Sequence, residues 1–439
     1  MSPVPLPWPT SVTSGSSGQL WTTRTKSGIS RRAAATLAST FGWLDTDPEE
    51  RRRMLSVVDL FKEKGTLDEL GFGSIRDAFA EILFPGTTTI HTRLKYVLFV
   101  PWLLRQSAGG GGTATEMSDR FASLEVKLID ALERGGEGQG VIGREAREGL
   151  QRTPASIYVG AMSTWEIATS NPWSGAYFRR QVDLQRLSSR VTTMTDDPES
   201  RAESLSDGLD PSLPKPPEDL LTSTTFNLDG EQRLYLVDRI EASVPESMLA
   251  WLVTHPPANL EGAKSVWEID NLADAPEHLR QVVDHARRFS AVAHGASLAY
   301  NYHMSELRRE RNQHQGDGAS TKLEEAIVAW RSGHDRETIR PWDNRDWHTF
   351  HSRGTRISSA TQRFVNEWLT FLNAPGGADL TGEDARQIVE RRERLIKGNR
   401  ARFANRSALD RWEGATPDPL TFRWPVARRH LIDLTEAVV

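Results

Sequence analysis

A run of basic residues between Arg391 and Arg411 carries the clearest chemical signal in the chain. It holds eight basic and two acidic side chains, a net charge of +6, whereas the whole chain has a net charge of −5. Clustered cations attract nucleic-acid phosphates, and the planar guanidinium of arginine binds two phosphate oxygens at once. Phe403 and Trp412 either stack on bases or anchor the segment. The residues predicted to contact nucleic acid are Arg391, Arg392, Arg394, Lys397, Arg400, Arg402 and Arg406. The alternative is a subunit interface or a solvated helix face.

Arginines that precede a histidine at short spacing indicate a second chemistry, the cleavage of RNA. The pairs are Arg287 and Arg288 with His294, and Arg308 and Arg309 with His314, a spacing found in helical HEPN-type ribonucleases. A cationic arginine polarises the phosphate while the histidine moves a proton at the ribose 2′-hydroxyl. Because His294 lies on an apolar helix, the alternative is a buried histidine of the core.

Two further groups of residues suggest metal ligands. His348 and His351 share one helix face, with Asp343 or Asp346 nearby, but Trp342 and Trp347 favour a packed loop instead. Four carboxylates near the start of the chain suggest a metal-dependent nuclease, although no strand-borne arrangement supports it; they are Asp45, Asp59, Asp68 and Glu69. We predict instead that Arg76, Asp77, Arg93 and Asp45 form structural ion pairs that hold helices in register. No metal site is assigned.

Several catalytic classes are excluded because their motifs are missing. The sequence has no phosphate-binding loop motif, no dinucleotide-binding glycine motif and no zinc-protease motif. The glycine run Gly109–Gly112 lacks a following lysine, so it predicts a flexible loop. The chain contains no cysteine, which excludes disulfides, iron–sulfur clusters and thiol nucleophiles. We therefore expect neither a cofactor nor a complete catalytic set.

The composition is that of a globular protein with two or three domains. Hydrophobic residues make up 38% and charged residues 26% of 439 residues, and strand signals are nearly absent. The most apolar stretch, Tyr96 to Leu104, is interrupted by Pro101 and is too short to span a bilayer. No secretion signal begins the chain, so we expect a cytoplasmic location. The pattern predicts a mainly α, multi-helix fold with two helical lobes and few or no strands.

The elements that position these residues fall into four predicted regions. Residues 1–40 read as a disordered basic leader, and 183–224, rich in Ser, Thr, Asp and Pro, as a linker or long loop. Between them lies an N-terminal helical domain, 41–182, whose segments 143–150 and 154–165 resemble a helix-turn-helix in spacing. The C-terminal helical domain, 225–439, includes a long helix over 276–311 and the basic segment 391–411.

Short motifs beyond residue 40 resemble an uncharacterised bacterial family of unknown function. The most specific are Phe41-Gly42-Trp43-Leu44-Asp45, Ile75-Arg76-Asp77-Ala78-Phe79 and Leu83-Phe84-Pro85-Gly86-Thr87. Gly295-Ala296 and the segment from Lys397 to Arg402 are similar as well. Phe422 stands where the family pattern would have a tyrosine before Arg423.

The resemblance implies a setting rather than an activity. Such proteins are often encoded in phage-defence gene clusters, near helicase and phospholipase-D-like nuclease genes, and no catalytic residues carry over. We therefore expect a non-enzymatic accessory subunit of an anti-phage defence complex, which binds DNA or a DNA-processing partner such as a helicase or nuclease subunit. The alternatives are a HEPN-like ribonuclease or metal-dependent nuclease, and a protein–protein scaffold without nucleic-acid contact.

Overall fold

Helix-start signals in the sequence correspond to helix starts in the computed structural model. The structure describes residues 69–150, 152–169, 174–194, 206–311, 319–334, 337–351, 355–375, 378–412, 414 and 416–436, so the predicted leader 1–40 lies outside the described residues. Thr113 and Asp229 each form a reciprocal capping box with the residue three positions later. Thr153 caps a helix whose first residue is Pro154, the position that proline favours in a helix.

Fourteen α-helices account for most of the described residues. They are α1 Gly73–Leu83, α2 Tyr96–Gly109, α3 Ala114–Arg134, α4 Pro154–Thr164, α5 Ser174–Met194, α6 Gly230–Ser243, α7 Met248–Thr254, α8 Glu277–Arg311, α9 Ala319–Gly333, α10 Asn344–His351, α11 Ser359–Leu372, α12 Glu383–Lys397, α13 Arg406–Asp410 and α14 Trp424–Thr435. The described residues contain no sheet, only one isolated antiparallel bridge between Ala168 and Leu209. The predicted mainly α fold is confirmed. No helix in the described ranges has both the length and the apolar character needed to cross a membrane.

Two helices organise the packing. Every residue of α2 from Tyr96 to Leu104 is buried, and α2 packs against α3, α4 and α5. The 35-residue helix α8 packs against α1, α9, α11, α12 and α13. Because α1 contacts both α7 and α8, residues from the predicted domains 41–182 and 225–439 contribute to one buried core. The two predicted lobes therefore do not have separate cores in the described part of the chain.

The predicted linker 183–224 differs from the structure at both described ends. Its first residues belong to α5, which runs to Met194, because the buried ring pair Tyr177 and Phe178 anchors this polar helix to the core. Residues 206–224 have irregular backbone but are packed, with Leu209 and Leu213 buried. The sequence composition misleads here because a few apolar contacts are enough to order a polar segment.

The helix-turn-helix predicted over 143–150 and 154–165 does not form. The second segment contains α4, but the first has only the 3-10 turn Arg147–Gly149. Arg147 has a positive φ of 43°, and its guanidinium pairs with Asp130 and Glu133 of α3. These ion pairs hold the segment to α3 as a turn, and glycines at both ends weaken any helix.

A buried ion pair links the residues just before α2 to the last helix, α14. Asp433 on α14 accepts hydrogen bonds from Arg93 Nε at 2.8 Å and from the backbone N–H of Leu94 at 2.7 Å. Burial raises the pKa of the Asp433 carboxyl to about 6, and the backbone N–H of Leu94 and the Arg93 charge oppose that rise. Arg93 thus has the predicted structural role, although its partner is Asp433. Asp45 lies outside the described residues.

Candidate functional site

The predicted nucleic-acid-binding segment is carried by α12, the 3-10 turn Gly398–Arg400, and α13. Helix α12 buries a face formed by Ala385, Ile388 and Val389. Glu383 and Asp384 lie in its first turn and Arg394 and Lys397 in its last, as the helix dipole favours. Gly398 ends the helix with a φ of 52°, a conformation that glycine adopts readily. The segment therefore turns, and its basic side chains face different surroundings.

Arg392 points into the protein. Its side chain is buried and donates to the carbonyls of Leu70 at 2.8 Å and Ala360 at 3.2 Å, and to Thr361 Oγ1 at 3.0 Å. The guanidinium also lies 4.8 Å from the centre of the Phe364 ring, a cation–π contact. These contacts join α12 to α11 and to the turn before α1, so Arg392 holds three parts of the chain together.

Lys397 and Arg402 belong to a buried ionic cluster around Glu393. The Glu393 side chain is fully buried and accepts hydrogen bonds from Tyr300 Oη at 2.6 Å and Lys397 Nζ at 3.0 Å. Glu69 pairs with Lys397 and, at 2.6 Å, with Arg402. Arg402 Nη1 also donates to Tyr300 Oη at 3.0 Å. With their charges matched inside the fold, these two cations have a structural role.

Arg391 and Arg394 are exposed, but each has an acidic partner. Arg391 pairs with Glu367 of α11, and Arg394 pairs with Glu390 one turn earlier at 2.5 Å. Surface pairs of this kind contribute at most about 1 kcal/mol. The charge of each arginine is therefore already matched by an acidic neighbour at the surface.

Arg400 and Arg406 are exposed, and no ion pair among the described residues involves them. Packing brings two cations of α8 next to this segment, where the sequence analysis did not place them. Arg308 donates to the backbone carbonyl of Trp412 at 2.9 Å, and Arg311 to that of Phe403 at 3.5 Å. We call the group Arg308, Arg311, Arg400, Arg406 and Arg411 the arginine surface. The sequence signal for its first two members was the basic last turn of the long helix.

The two aromatic residues of the basic segment anchor it to the core. Phe403 is 5% exposed and Trp412 is 7% exposed, and the Phe403 ring packs edge-on against Tyr300 at 6.0 Å. The backbone carbonyls of both residues accept hydrogen bonds from arginines of α8. Of the two roles left open by the sequence, the structure supports anchoring rather than base stacking.

In the first predicted ribonuclease set, the arginines and the histidine have separate partners. His294 Nε2 bonds to the carbonyl of Pro417 at 2.9 Å, whereas Arg288 pairs with Asp284 at 3.0 Å and Asp346 at 3.3 Å. Arg287 points outward and pairs with Asp284. Of the second set, Arg309 pairs with Glu306, and His314 lies outside the described residues.

The predicted metal ligands have other partners. Asp346 is bound by Arg288 and Arg340, and the Asp343 carboxylate caps α10 by accepting from the backbone N–H of Arg345 at 2.7 Å. His348 is exposed, and the side chain of His351 is not described. Within the described ranges, no group of three metal-ligating side chains comes together.

Comparisons with known proteins identify a family but no activity. A family model described as "Family of unknown function (DUF6361)" matches residues 38–438. No curated protein and no solved structure matches the chain.

Proposed function

The chain belongs to DUF6361, a family of unknown function, and we propose that it is a non-enzymatic accessory protein that binds nucleic acid through the arginine surface. A bacterial anti-phage complex is the proposed setting, with a helicase or nuclease subunit as its partner. That setting rests on the family resemblance described above.

The observation that carries the proposal is a set of cations with no carboxylate partner among the described residues. Arg400 and Arg406 are exposed, and the other three members donate only to backbone carbonyls: Arg308 and Arg311 across the α8 contact, and Arg411 to Ser407 at 3.0 Å. By contrast, Arg392, Lys397 and Arg402 are held by internal partners. The proposed interface is therefore smaller than the predicted segment and shifted toward the end of α8.

Phosphate is the natural partner for this surface. A guanidinium with free N–H groups can donate two parallel hydrogen bonds to phosphate oxygens, and each neutralised phosphate releases condensed counterions. The rings of Phe403 and Trp412 are buried, so neither is available for base stacking. We therefore expect binding that depends on the backbone of the nucleic acid and shows little sequence preference.

The test is the salt dependence of binding to fluorescently labelled duplex DNA and RNA, measured by anisotropy with and without divalent metal. The double variant Arg400→Gln and Arg406→Gln should reduce the slope of log affinity against log salt by about two units for every sequence. The matched control is Arg391→Gln with Arg394→Gln, which removes the same charge from the same segment at paired positions. Its slope should change much less.

Three results would contradict the proposal. An unchanged slope in a folded Arg400/Arg406 variant would remove the arginine surface from the interface. Cleavage of either nucleic acid would favour the HEPN-like ribonuclease or the metal-dependent nuclease. Absence of binding at low salt would favour a protein–protein scaffold.

A further inference from the structure

A cavity of about 710 Å³ lies between the first half of α8 and helix α10. Its volume falls within the range of small-molecule sites. It is lined by three histidines, two arginines and one carboxylate: His278, His285, His348, Arg288, Arg345 and Asp346. Sequence reasoning considered Arg288, Asp346 and His348 for other sites and did not consider His285.

Helical spacing explains why these side chains meet. His278, His285 and Arg288 are separated by seven and three residues, so they share one face of α8. On α10, Arg345 and His348 are three residues apart and face the same cavity. Asp343 fixes the start of α10 through a reciprocal cap, in which Asp346 accepts from the Asp343 backbone N–H at 2.9 Å.

The hydrogen-bond acceptors on the cavity floor are already occupied. The Asp346 carboxylate, which is 6% exposed, accepts from Arg288 at 3.3 Å and from Arg340 at 3.1 Å. With the bond from the Asp343 backbone, its two oxygens have three donors. Asp346 therefore positions the arginines and has little capacity left for a ligand.

Nitrogen atoms on the cavity floor are not occupied. Arg288 Nη1 and His285 Nε2 are both buried and have no hydrogen-bond partner among the described residues. Arg288 is 7% exposed and His285 is 3% exposed, and each lines the cavity. Burial, aided by the nearby Arg288, outweighs the opposing Asp346 charge and lowers the pKa of His285 to about 4. An unsatisfied buried donor such as Arg288 Nη1 costs about 1–3 kcal/mol, which an acceptor on a ligand would recover.

Side chains at the rim extend the same chemistry. Arg345, His278 and His348 are exposed, and His278 lies 3.4 Å from Glu246. The lining offers two guanidiniums and three imidazoles against one carboxylate whose oxygens already have partners. A complementary ligand is therefore rich in acceptors and negatively charged.

We infer that this cavity binds the phosphate monoester group of a small molecule or of a nucleic-acid end. Arg288 Nη1 would donate to a phosphate oxygen at the floor, and Arg345 would donate from the rim. The inference goes beyond the proposed function, because Arg288 and Arg308 are twenty residues apart on α8, roughly 30 Å along the helix.

The experiment is calorimetric titration of the full chain with inorganic phosphate, adenosine 5′-monophosphate and adenosine. A 5′-phosphorylated oligonucleotide and its 5′-hydroxyl counterpart complete the set. Phosphate and the monophosphate should bind, and adenosine should not. Tighter binding of the phosphorylated oligonucleotide would identify a nucleic-acid end as the source, and tighter binding of the monophosphate would identify a free nucleotide.

Variants locate the site. Arg345→Gln with His348→Gln should weaken phosphate binding about tenfold or more, a loss equivalent to at least one charge-assisted hydrogen bond. The control Arg287→Gln removes an exposed arginine next to Arg288 that does not line the cavity, and its binding should be unchanged. The Arg400→Gln and Arg406→Gln variant of the arginine surface should leave the titration with inorganic phosphate unchanged. The two proposals can therefore fail independently. Absence of phosphate binding, equal binding of adenosine, or equal loss in both variants would overturn the inference.

Discussion

Replacing Arg392 with alanine should lower the free energy of unfolding rather than weaken nucleic-acid binding selectively. Arg392 belongs to the predicted basic segment, yet its guanidinium is enclosed by Leu70, Ala360, Thr361 and Phe364. The turn before α1 approaches it closely: a Cβ on Gly71 would lie 2.7 Å from Arg392 Nη2. The site is therefore built around this side chain.

The cost follows from what the truncation leaves behind. Hydrogen bonds to a charged group contribute about 1.5–3 kcal/mol each, but bonds that share one guanidinium are not additive. Alanine would leave the buried Leu70 carbonyl without this donor and remove the cation–π contact with Phe364. A buried acceptor left without its partner costs about 1–3 kcal/mol. We expect a decrease of that size in the free energy of unfolding.

Urea denaturation followed by tryptophan fluorescence measures this decrease directly. The neighbouring Arg391→Ala removes an exposed arginine paired with Glu367, so its free energy of unfolding should fall by no more than about 1 kcal/mol. If Arg392→Ala kept the wild-type denaturation midpoint and lost DNA affinity alone, Arg392 would be an interface residue and the structural reasoning would fail.

Two further predictions concern stability. His91 and His430 are buried with ring centres 5.5 Å apart; burial lowers the pKa of His91 well below its usual value and that of His430 to about 3. Because the unfolded chain binds these protons more readily, each histidine should reduce the free energy of unfolding by about 1.4 kcal/mol per pH unit below about pH 6.5. His430→Phe should remove the contribution of one proton, about 1.4 kcal/mol per pH unit, from this slope. An unchanged slope in urea denaturation across pH would contradict the lowered pKa of His430. Gly295→Ala would place a Cβ 2.7 Å from Trp330 Cζ2 between α8 and α9, so we expect a loss of about 1–3 kcal/mol. The control Gly160→Ala, which meets open space on α4, should not destabilise the protein, and equal midpoints for the two variants would refute the packing argument.

The fold class could be predicted because it depends on local information. Apolar periodicity and caps such as Thr153 with Pro154 are written within a few residues of each other, so the helices of the sequence analysis largely appear in the structure. The errors at 143–150 and 183–194 arose where contacts with distant residues decide the conformation. Arg147 is held by α3, and Tyr177 and Phe178 anchor a helix whose composition suggests a loop.

The candidate site also combines features that the sequence determines and features that depend on distant contacts. Sequence alone determined that cations are concentrated between Arg391 and Arg411, since charge is a property of composition. Only the tertiary structure decided which of them face solvent. Arg392 and Arg391 are adjacent in sequence, but one is buried among backbone carbonyls and the other is paired at the surface. Leu70, which accepts from Arg392, and Glu69, which pairs with Arg402, each lie more than 300 residues away from these arginines in the sequence. Helical periodicity gives the direction of a side chain from its own axis, whereas burial and pairing depend on the other helices that pack against that face.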